Sequence, residues 1–218
     1  MNYEVYSEES NIINHIDFMN IKKKISSNMI IREGKEFYIR KIYFNRDINY
    51  LDNSDKEKNN CDTFSINIKD NSLDFIMLEK KSFREGIIHK NYTYISKAQC
   101  DSILTGDISW MKDEINDILN DLYLQMTINE IKIGVVVDYQ REVYRLNSSD
   151  NYFIFDKAIK STYDIKGLDL LKAELQMRDR LEKNKTVMTY RQSINIPRFV
   201  ANVLHLGESI RPGVLTAL

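Results

Sequence analysis

Charged side chains lie inside several segments whose other residues are typical of β-strands. The stretch FIMLEKKSFREGIIHKNYTYIS, residues 75–96, places Glu79 and Lys81 two residues apart and Lys90 in the apolar run that follows. Because strand side chains alternate between two faces, Glu79 and Lys81 share a face with Met77. Such a face is either exposed to solvent or lines an interior cavity. In the second case the charged side chains would require a bound ligand.

Cations recur in the other strand-like segments as well. Arg40 lies in FYIRKIYF, Arg141 follows VVVDYQ, and Arg191 lies in VMTYRQ. For any one of them alone, a charge that points to solvent is the simpler interpretation. Together they favour a barrel that turns cationic faces inward, where burying like charges costs free energy unless anions or carboxylates neutralise them. Glu79 offers one carboxylate, and a phosphate chain would supply further negative charge.

The motifs of most other phosphate and hydrolase chemistry do not occur in this chain. The patterns GxxxxGK[ST], GxGxxG, HExxH and GxSxG are absent, and the three histidines are scattered. The net charge of −1 gives no general attraction for nucleic acid, which is therefore not an expected partner. Two cysteines make neither a disulfide framework nor a zinc set, and no apolar run could span a bilayer. We therefore expect a cytoplasmic protein without a membrane segment.

The predicted elements alternate irregularly between strands and helices. Ser96 can cap a helix over 97–105, and the turn at Arg84–Gly86 predicts a hairpin. Further helices are predicted at 10–25, 108–126, 167–184 and 197–204, a polar loop at 52–62, and strands at 37–44, 63–68, 74–79, 87–95, 131–146, 152–156 and 186–194. Meander-like strand runs interrupted by helices indicate an α+β fold with a mainly antiparallel sheet or β-barrel. No composition break divides the 218 residues, so one domain over 1–218 is expected.

Four stretches carry a resemblance to a known family: FYIRKIYFN (37–45), DFIMLEKKSFREGIIHKNYTYISKAQCDSILTGD (74–107), VVVDYQREVY (135–144) and YFIFD (152–156). In order and content they resemble the VTC domain, the polyphosphate polymerase domain of the triphosphate tunnel superfamily. YEVY (3–6) and the closing strand, proline and helix (186–207) fall in matching places. The resemblance covers nearly the whole chain and implies an antiparallel β-barrel with surrounding helices and an interior lined by Lys and Arg.

This resemblance also implies an activity, a substrate and a set of site residues. The implied reaction is ATP-dependent phosphoryl transfer to a growing polyphosphate chain, assisted by a divalent metal, Mn²⁺ or Mg²⁺. Polyphosphate or a nucleoside triphosphate would be the bound partner. The residues carried over are Lys81, Lys90 and Arg141 as catalytic, Arg40, Arg191 and Lys80 as substrate-binding, and Glu79 as the metal ligand. Phosphoryl transfer depends mainly on positioning and charge neutralisation, which cations supply.

Several positions depart from the family pattern. Where the family carries Lys or Arg this chain has Tyr6, Ser65, Asn67 and Tyr152, and Thr189 stands in place of a metal-binding Glu. Each lost charge-assisted contact costs about 1.5–3 kcal/mol, so very low turnover is expected. Three functions stay open. They are a working polymerase, an inactive VTC-like module that binds an anion or a protein from another chain, and a CYTH-type triphosphatase, which the lone Glu4 of YEVY disfavours.

Overall fold

The computed structural model describes residues 2–27, 30–32, 36–45, 60–146, 151–172, 174–192 and 205–210. The strands in these ranges are β1 (Asn2–Asn14), β2 (Ile30–Arg32), β3 (Phe37–Asn45), β4 (Asn60–Lys69), β5 (Ile76–Arg84), β6 (Ile87–Ile95), β7 (Lys132–Leu146), β8 (Tyr152–Thr162), β9 (Arg178–Asp179), β10 (Lys185–Gln192) and β11 (Glu208–Ile210). The helices are α1 (His15–Ser27), α2 (Lys97–Thr105) and α3 (Asp117–Ile128), with a 3-10 helix at Ser109–Asp113. None of the helices in these ranges has both the length and the apolar character needed to cross a membrane.

The strands join in one sheet whose order returns to its starting strand. Hydrogen-bonded neighbours follow the order β2-β7-β3-β4-β5-β6-β1-β10-β8-β9, with β11 on β1, and β7 also pairs with β8. That last pairing closes a ring of eight strands, β7-β3-β4-β5-β6-β1-β10-β8, which is an antiparallel β-barrel. The predicted α+β fold with a mainly antiparallel barrel is confirmed.

The predicted strands are present, with some ends moved. β6 has the predicted bounds, whereas β5 begins later than predicted and continues to Arg84, and β8 continues to Thr162. The hairpin between β5 and β6 turns through Glu85 (φ 49°) and Gly86 (φ 83°), and two positive φ values are what a type I′ turn requires. Of the loop predicted at 52–62, residues 60–62 belong to β4, and the remainder lies outside the described residues.

Helix α2 has the predicted bounds because short-range signals define both of its ends. The Ser96 side chain accepts a hydrogen bond from the Gln99 amide, and the Gln99 side chain accepts one from the Ser96 amide, which makes a capping box. Gly106 ends the helix in the left-handed conformation, at φ 84°.

Three helix predictions need correction. The helix predicted at 10–25 begins only at His15, since residues 7–14 pair with β10 and Asn14 caps the Asp17 amide. The helix predicted at 108–126 is divided into the 3-10 helix and α3, because Glu114 is extended and Asn116 caps the Ile118 amide. Ile115, a member of the predicted apolar stripe, is consequently fully exposed.

The third correction concerns residues 167–184, where the interleaved charges resemble those of a helix. The described residues of this segment form turns and the short strand β9 instead. Tertiary contacts replace the helical ones: the Arg180 amide donates to the Ile159 carbonyl oxygen, and Leu170 is buried. The helix predicted at 197–204 and the last two residues of the strand predicted at 186–194 lie outside the described residues.

The chain divides into two compact units. The first unit comprises Met1–Val5, Ile39–Val137 and Thr162–Gln176, and the second comprises Tyr6–Tyr38, Asp138–Ser161 and Met177–Leu218. In the first unit, α3 packs on β5 and β6. In the second unit, α1 packs through Phe18, Ile21 and Ile25 on alternate residues of β8 and β10, with Phe153, Phe155, Met188 and Tyr190 at the centre of the core.

Candidate functional site

In the first unit, β3 to β6 carry polar side chains on one face and apolar side chains on the other. The apolar face includes the buried residues Ile42, Phe44, Phe64, Ile66, Ile68, Ile76, Leu78 and Ile95. The opposite face carries Lys41, Ser65, Asn67 and Glu79, which are also buried, and the half-buried Lys81 and Lys90. We call this second surface the polar face. Buried polar groups cost free energy unless they are paired, so the composition of this face requires an explanation.

Glu79 is the centre of the polar face. Its carboxylate accepts a hydrogen bond from Lys41 Nζ at 2.6 Å, lies 3.7 Å from Lys90 Nζ, and is 3.5 Å from Ser65 Oγ. Burial opposes the ionisation of Glu79, but the charges of Lys41, Lys81 and Lys90 outweigh it and hold the pKa of this carboxyl well below its usual range. The Glu79 carboxyl is therefore ionised at neutral pH.

Lys81 and Lys90 face each other directly across the β5–β6 pair. Like charges in this position destabilise a sheet unless negative charge lies between or beside them. Lys90 Nζ lies 3.4 Å from a carboxylate oxygen of Glu4 and 4.6 Å from the ring centre of Tyr92. Three lysines, Lys41, Lys81 and Lys90, thus surround Glu79, with Glu4 at the margin of the group. The strand register places Glu79, Lys81 and Lys90 on one face, while their chemical roles stay predictions.

Neutral side chains occupy the row of the polar face next to Lys41. Asn67 lies directly opposite Lys41, and Ser65 lies directly opposite Glu79. Among the described residues, the buried Nδ2 of Asn67 has no hydrogen-bond acceptor. A buried donor without an acceptor costs about 1–3 kcal/mol, which a bound acceptor would recover. The polar face thus combines crowded cations with an unsatisfied donor.

Two of the predicted site residues lie on the other face of the same strands. Lys80 alternates away from Glu79 and Lys81, and its Nζ lies 2.5 Å from Asp121 of α3 and 3.1 Å from Asp62. These two carboxylates raise the pKa of Lys80 against the opposing effect of burial. The structure therefore does not bring Lys80 to the predicted site, and its geometry gives no support to a substrate contact.

Arg40 likewise lies on the apolar side of β3, next to Lys41 in sequence but on the opposite face. Its buried guanidinium donates hydrogen bonds to the carbonyl oxygens of Leu170 and Lys172. Arg40 thus holds the 170–172 segment against the sheet. Its predicted substrate contact is not supported, and Lys41 occupies the place on the polar face that the sequence analysis assigned to Arg40.

In the second unit, each predicted cation is paired with a carboxylate of the same unit. Arg141 donates from Nε and Nη2 to the two carboxylate oxygens of Asp156, both at 2.7 Å. Arg191 donates to Glu8 from Nη2 at 3.0 Å, directly across the β1–β10 pair. Burial opposes the charge on Arg141, but Asp156 holds its pKa well above the usual range. The prediction that Arg141 shares a cavity with Lys81 and Lys90 stays a prediction.

The neutral positions of the second unit contact one another or a neighbouring cation. Ser10 Oγ and Thr189 Oγ1 form a buried hydrogen bond of 2.8 Å. The Arg191 guanidinium lies 3.8 Å from the ring centre of Tyr6, a cation–π contact. Thr189, which stands where the family pattern has a metal-binding Glu, is thus part of an uncharged pair.

The carboxylates of these faces do not fit a divalent metal centre. Glu79 is held by Lys41, Glu8 by Arg191 and Asp156 by Arg141. The described ranges contain no group of three or more His, Cys, Asp or Glu side chains able to hold a metal ion. Mg²⁺ and Mn²⁺ prefer several oxygen ligands that are not already neutralised. The contacts of Glu79 thus do not support its predicted role as a metal ligand.

Sequence reasoning missed Lys41, Glu8 and Asp156 as site residues, and it used Glu4 only to weigh the CYTH-type alternative. The first could have been found from strand phase, since Lys41 rather than Arg40 lies in phase with Tyr43 beside the polar positions of β4. The alternation of Glu4, Tyr6 and Glu8 on one face of β1 was also readable from YEVYSE. The pairing of Asp156 with Arg141 had no local signal, because 15 residues separate the two.

Comparisons with known proteins agree with this fold. The family model described as VTC domain matches residues 5–209 of the chain. None of the curated proteins matches it in sequence. A solved Bacillus halodurans protein, described as a candidate adenylate cyclase, has a TM-score of 0.59 at 12% identity, with 100% of this chain and 99% of that chain covered.

Two further solved structures are similar. The PH1012 protein of Pyrococcus horikoshii has a TM-score of 0.51 at 13% identity, with 93% of this chain and 92% of that chain covered. The Hippeastrum protein HpAC1, described as a candidate adenylyl cyclase with a dominant triphosphatase activity, has a TM-score of 0.50 at 12% identity, with 92% and 84% covered. Identities this low show a shared fold alone.

Proposed function

Because this chain belongs to the VTC domain family, we propose that it binds the phosphate chain of a polyphosphate or a nucleoside triphosphate on the polar face of its first unit, with little or no polymerase turnover. The observation that carries the proposal is the gathering of Lys41, Lys81 and Lys90 around one carboxylate, with Lys81 and Lys90 directly opposed across the strands. An anion with several oxygens would neutralise the opposed lysines and could accept a hydrogen bond from Asn67 Nδ2.

Low turnover is expected because the lining offers few charges for a transferring phosphoryl group. Ser65 and Asn67 stand where the family pattern has cations, and both lie on the polar face. Arg141 and Arg191 of the second unit are each engaged with a carboxylate. Every tenfold loss in rate corresponds to about 1.4 kcal/mol of lost transition-state stabilisation, so a few missing contacts suffice to suppress synthesis.

The binding test compares the unmodified protein with two lysine variants, using inorganic triphosphate as the probe. Triphosphate should raise the melting temperature by mass action on the folded state. Lys81→Ala should weaken triphosphate binding at least about tenfold in calorimetry, since a charge-assisted hydrogen bond contributes about 1.5–3 kcal/mol. Lys112→Ala removes an exposed lysine of the 3-10 helix and should leave binding unchanged.

Turnover is measured on the same preparations. Incubation with ATP and Mn²⁺ should give little or no polyphosphate on a gel. Phosphate release from triphosphate is followed in parallel, because the Hippeastrum protein is described as having a dominant triphosphatase activity. Robust polyphosphate synthesis that Arg141→Ala abolishes would contradict the proposed loss of catalysis. No triphosphate binding at all would overturn the proposal in favour of a scaffold that contacts another protein.

A further inference from the structure

Helix α1 has an exposed face on the side opposite to its packed face. Ile16, Met19 and Lys23 are three and four residues apart, so their side chains lie along one stripe of the helix. Ile16 is 72% exposed and Met19 is 52% exposed, and Lys23 is exposed nearer the end of the helix. We call these three residues the α1 stripe. It is apolar toward the N-terminus of α1 and basic toward the C-terminus.

Helix α3 has an exposed face with the reverse order of apolar and charged side chains. Asp117, Leu124 and Ile128 are seven and four residues apart, which again places them along one stripe. Leu124 is 47% exposed and Ile128 is 71% exposed, and Asp117 is exposed in the first turn. Asp121, on the same side of the helix, is bound to Lys80. We call Asp117, Leu124 and Ile128 the α3 stripe, which is acidic toward the N-terminus of α3 and apolar toward the C-terminus.

The two stripes are complementary when the helices that carry them run antiparallel. The apolar ends then meet each other, and Lys23 meets Asp117. The spacing agrees, because Ile16 and Lys23 are seven residues apart, as are Asp117 and Leu124, which corresponds to about 10.5 Å along each helix. Antiparallel packing also brings the negative C-terminal end of one helix dipole beside the positive N-terminal end of the other. A parallel arrangement would instead bury Lys23 against Leu124 and Asp117 against Ile16, which costs free energy.

We propose that the α1 stripe of one copy of this chain docks antiparallel on the α3 stripe of a second copy, so that the protein associates with itself through two different surfaces. A helix face that is both basic and apolar also suits an anionic membrane surface, whereas an acidic face does not. A second copy is the occupant that satisfies both stripes at once, by apolar contact at one end and opposite charge at the other. The inference does not depend on the anion site proposed above.

The test is sedimentation velocity over a range of protein concentrations at one fixed salt concentration. The unmodified protein should show self-association that increases with concentration. Ile16→Glu and Ile128→Lys each place a charge where an apolar side chain would be buried, and each should raise the dissociation constant at least about tenfold. Phe75→Glu is the matched control, because Phe75 is 70% exposed and lies outside both stripes, and it should leave association unchanged. Since all three positions are exposed, the melting temperatures of the variants should equal that of the unmodified protein.

Mixing the variants shows whether two different surfaces meet. An equimolar mixture of Ile16→Glu and Ile128→Lys should associate although neither does so alone, because the first variant keeps its α3 stripe and the second keeps its α1 stripe. The direction of docking is tested within one chain. Lys23→Glu and Asp117→Lys should each weaken association about fivefold, and the variant that carries both changes should regain most of it.

Four outcomes would overturn the proposal. These are a monomer at every concentration, association that Ile128→Lys does not affect, a mixture of the two variants that does not associate, and a double variant of Lys23 and Asp117 that regains nothing. Flotation of a monomeric protein with phosphatidylserine vesicles, lost in Ile16→Glu, would assign the α1 stripe to a membrane surface instead. Triphosphate binding should be the same in all of these variants, so a failure of self-association leaves the anion site intact.

Discussion

At the scale of single residues, the carboxylates of the chain determine how much positive charge each polar surface presents. Arg141 and Arg191 are each matched by one carboxylate, Asp156 and Glu8 respectively. Glu79, by contrast, is shared among three lysines. Lysines are thus grouped around Glu79, whereas each of the two arginines meets its own carboxylate, and for this reason the binding proposal is centred on the first unit.

Replacing Glu79 tests this balance directly. Glu79→Gln should raise the affinity for inorganic triphosphate at pH 7, because an amide does not compete with the ligand for Lys41 and Lys90. It should also lower the free energy of unfolding without ligand by about 3 kcal/mol, since Lys41 loses a buried partner. Calorimetry and urea denaturation measure the two effects.

Glu174→Gln, an exposed change in the same unit, serves as the control and should affect neither quantity. A loss of triphosphate affinity that occurs only when Mg²⁺ is present would contradict this interpretation. Glu79 would then act as a metal ligand rather than as a counterion.

At the scale of elements, short-range signals and long-range pairing contribute differently along the chain. Helix α2 is bounded by its own caps, and the β5–β6 hairpin by its own turn. Residues 7–14, in contrast, are a strand because β10 offers them partners from the other end of the chain. The apolar spacing of this segment suits a helix, but the segment forms a strand with these hydrogen bonds, since tertiary context routinely overrides helix propensity.

The cap of α2 supplies the prediction at this scale. Ser96→Ala should lower the free energy of unfolding by about 1 kcal/mol, because the Gln99 amide at the start of α2 loses its acceptor, the Ser96 hydroxyl. Ser96→Asp should retain most of the stability, as Asp is an equally good cap. Urea denaturation with an unchanged slope would show that only stability was affected, whereas an Ala variant as stable as the unmodified protein would contradict the capping role.

At the scale of the whole molecule, acidic and basic side chains nearly cancel, with 31 Lys and Arg against 32 Asp and Glu. The stability of the molecule at low pH therefore depends on which carboxylates are held ionised in the fold. Glu142 is buried and bonded to Lys22 at 2.9 Å, to Lys157 at 3.1 Å and to the Tyr144 hydroxyl at 2.6 Å. Burial opposes ionisation of Glu142, but these three contacts lower its pKa from 4.5 to about 2.

A lowered carboxyl pKa sets the direction of the pH dependence. The folded state holds Glu142 ionised more strongly than the unfolded chain does, so its contribution is present above about pH 4.5 and is lost as the pH falls toward 2. Glu142→Gln should lower the free energy of unfolding at pH 7 by about 3 kcal/mol and flatten its decline between pH 4.5 and 2. Urea denaturation across this range measures both, and an unchanged acid slope in the variant would contradict the assignment.

The sequence by itself determined the features that depend on residues close in the chain. These include the shared face of Glu79 and Lys81, the turn before β6, the cap at Ser96 and the ordered motifs that identified the family and its barrel. The first three follow from an alternation or a hydrogen bond spanning a few residues, and the family resemblance follows from the order of motifs along the chain, so no distant contact is needed to predict them.

Only the tertiary structure decided which charges meet. Arg40 and Lys41 are adjacent in sequence but point to opposite faces of β3. Arg40 donates to backbone carbonyl oxygens, whereas Lys41 donates to Glu79. Arg191 pairs with Glu8, which lies 183 residues away in sequence. Residues 167–184 have a helical charge pattern but form contacts with the sheet instead of a helix. Such pairings depend on strand register between distant segments, and composition and periodicity contain no information about register.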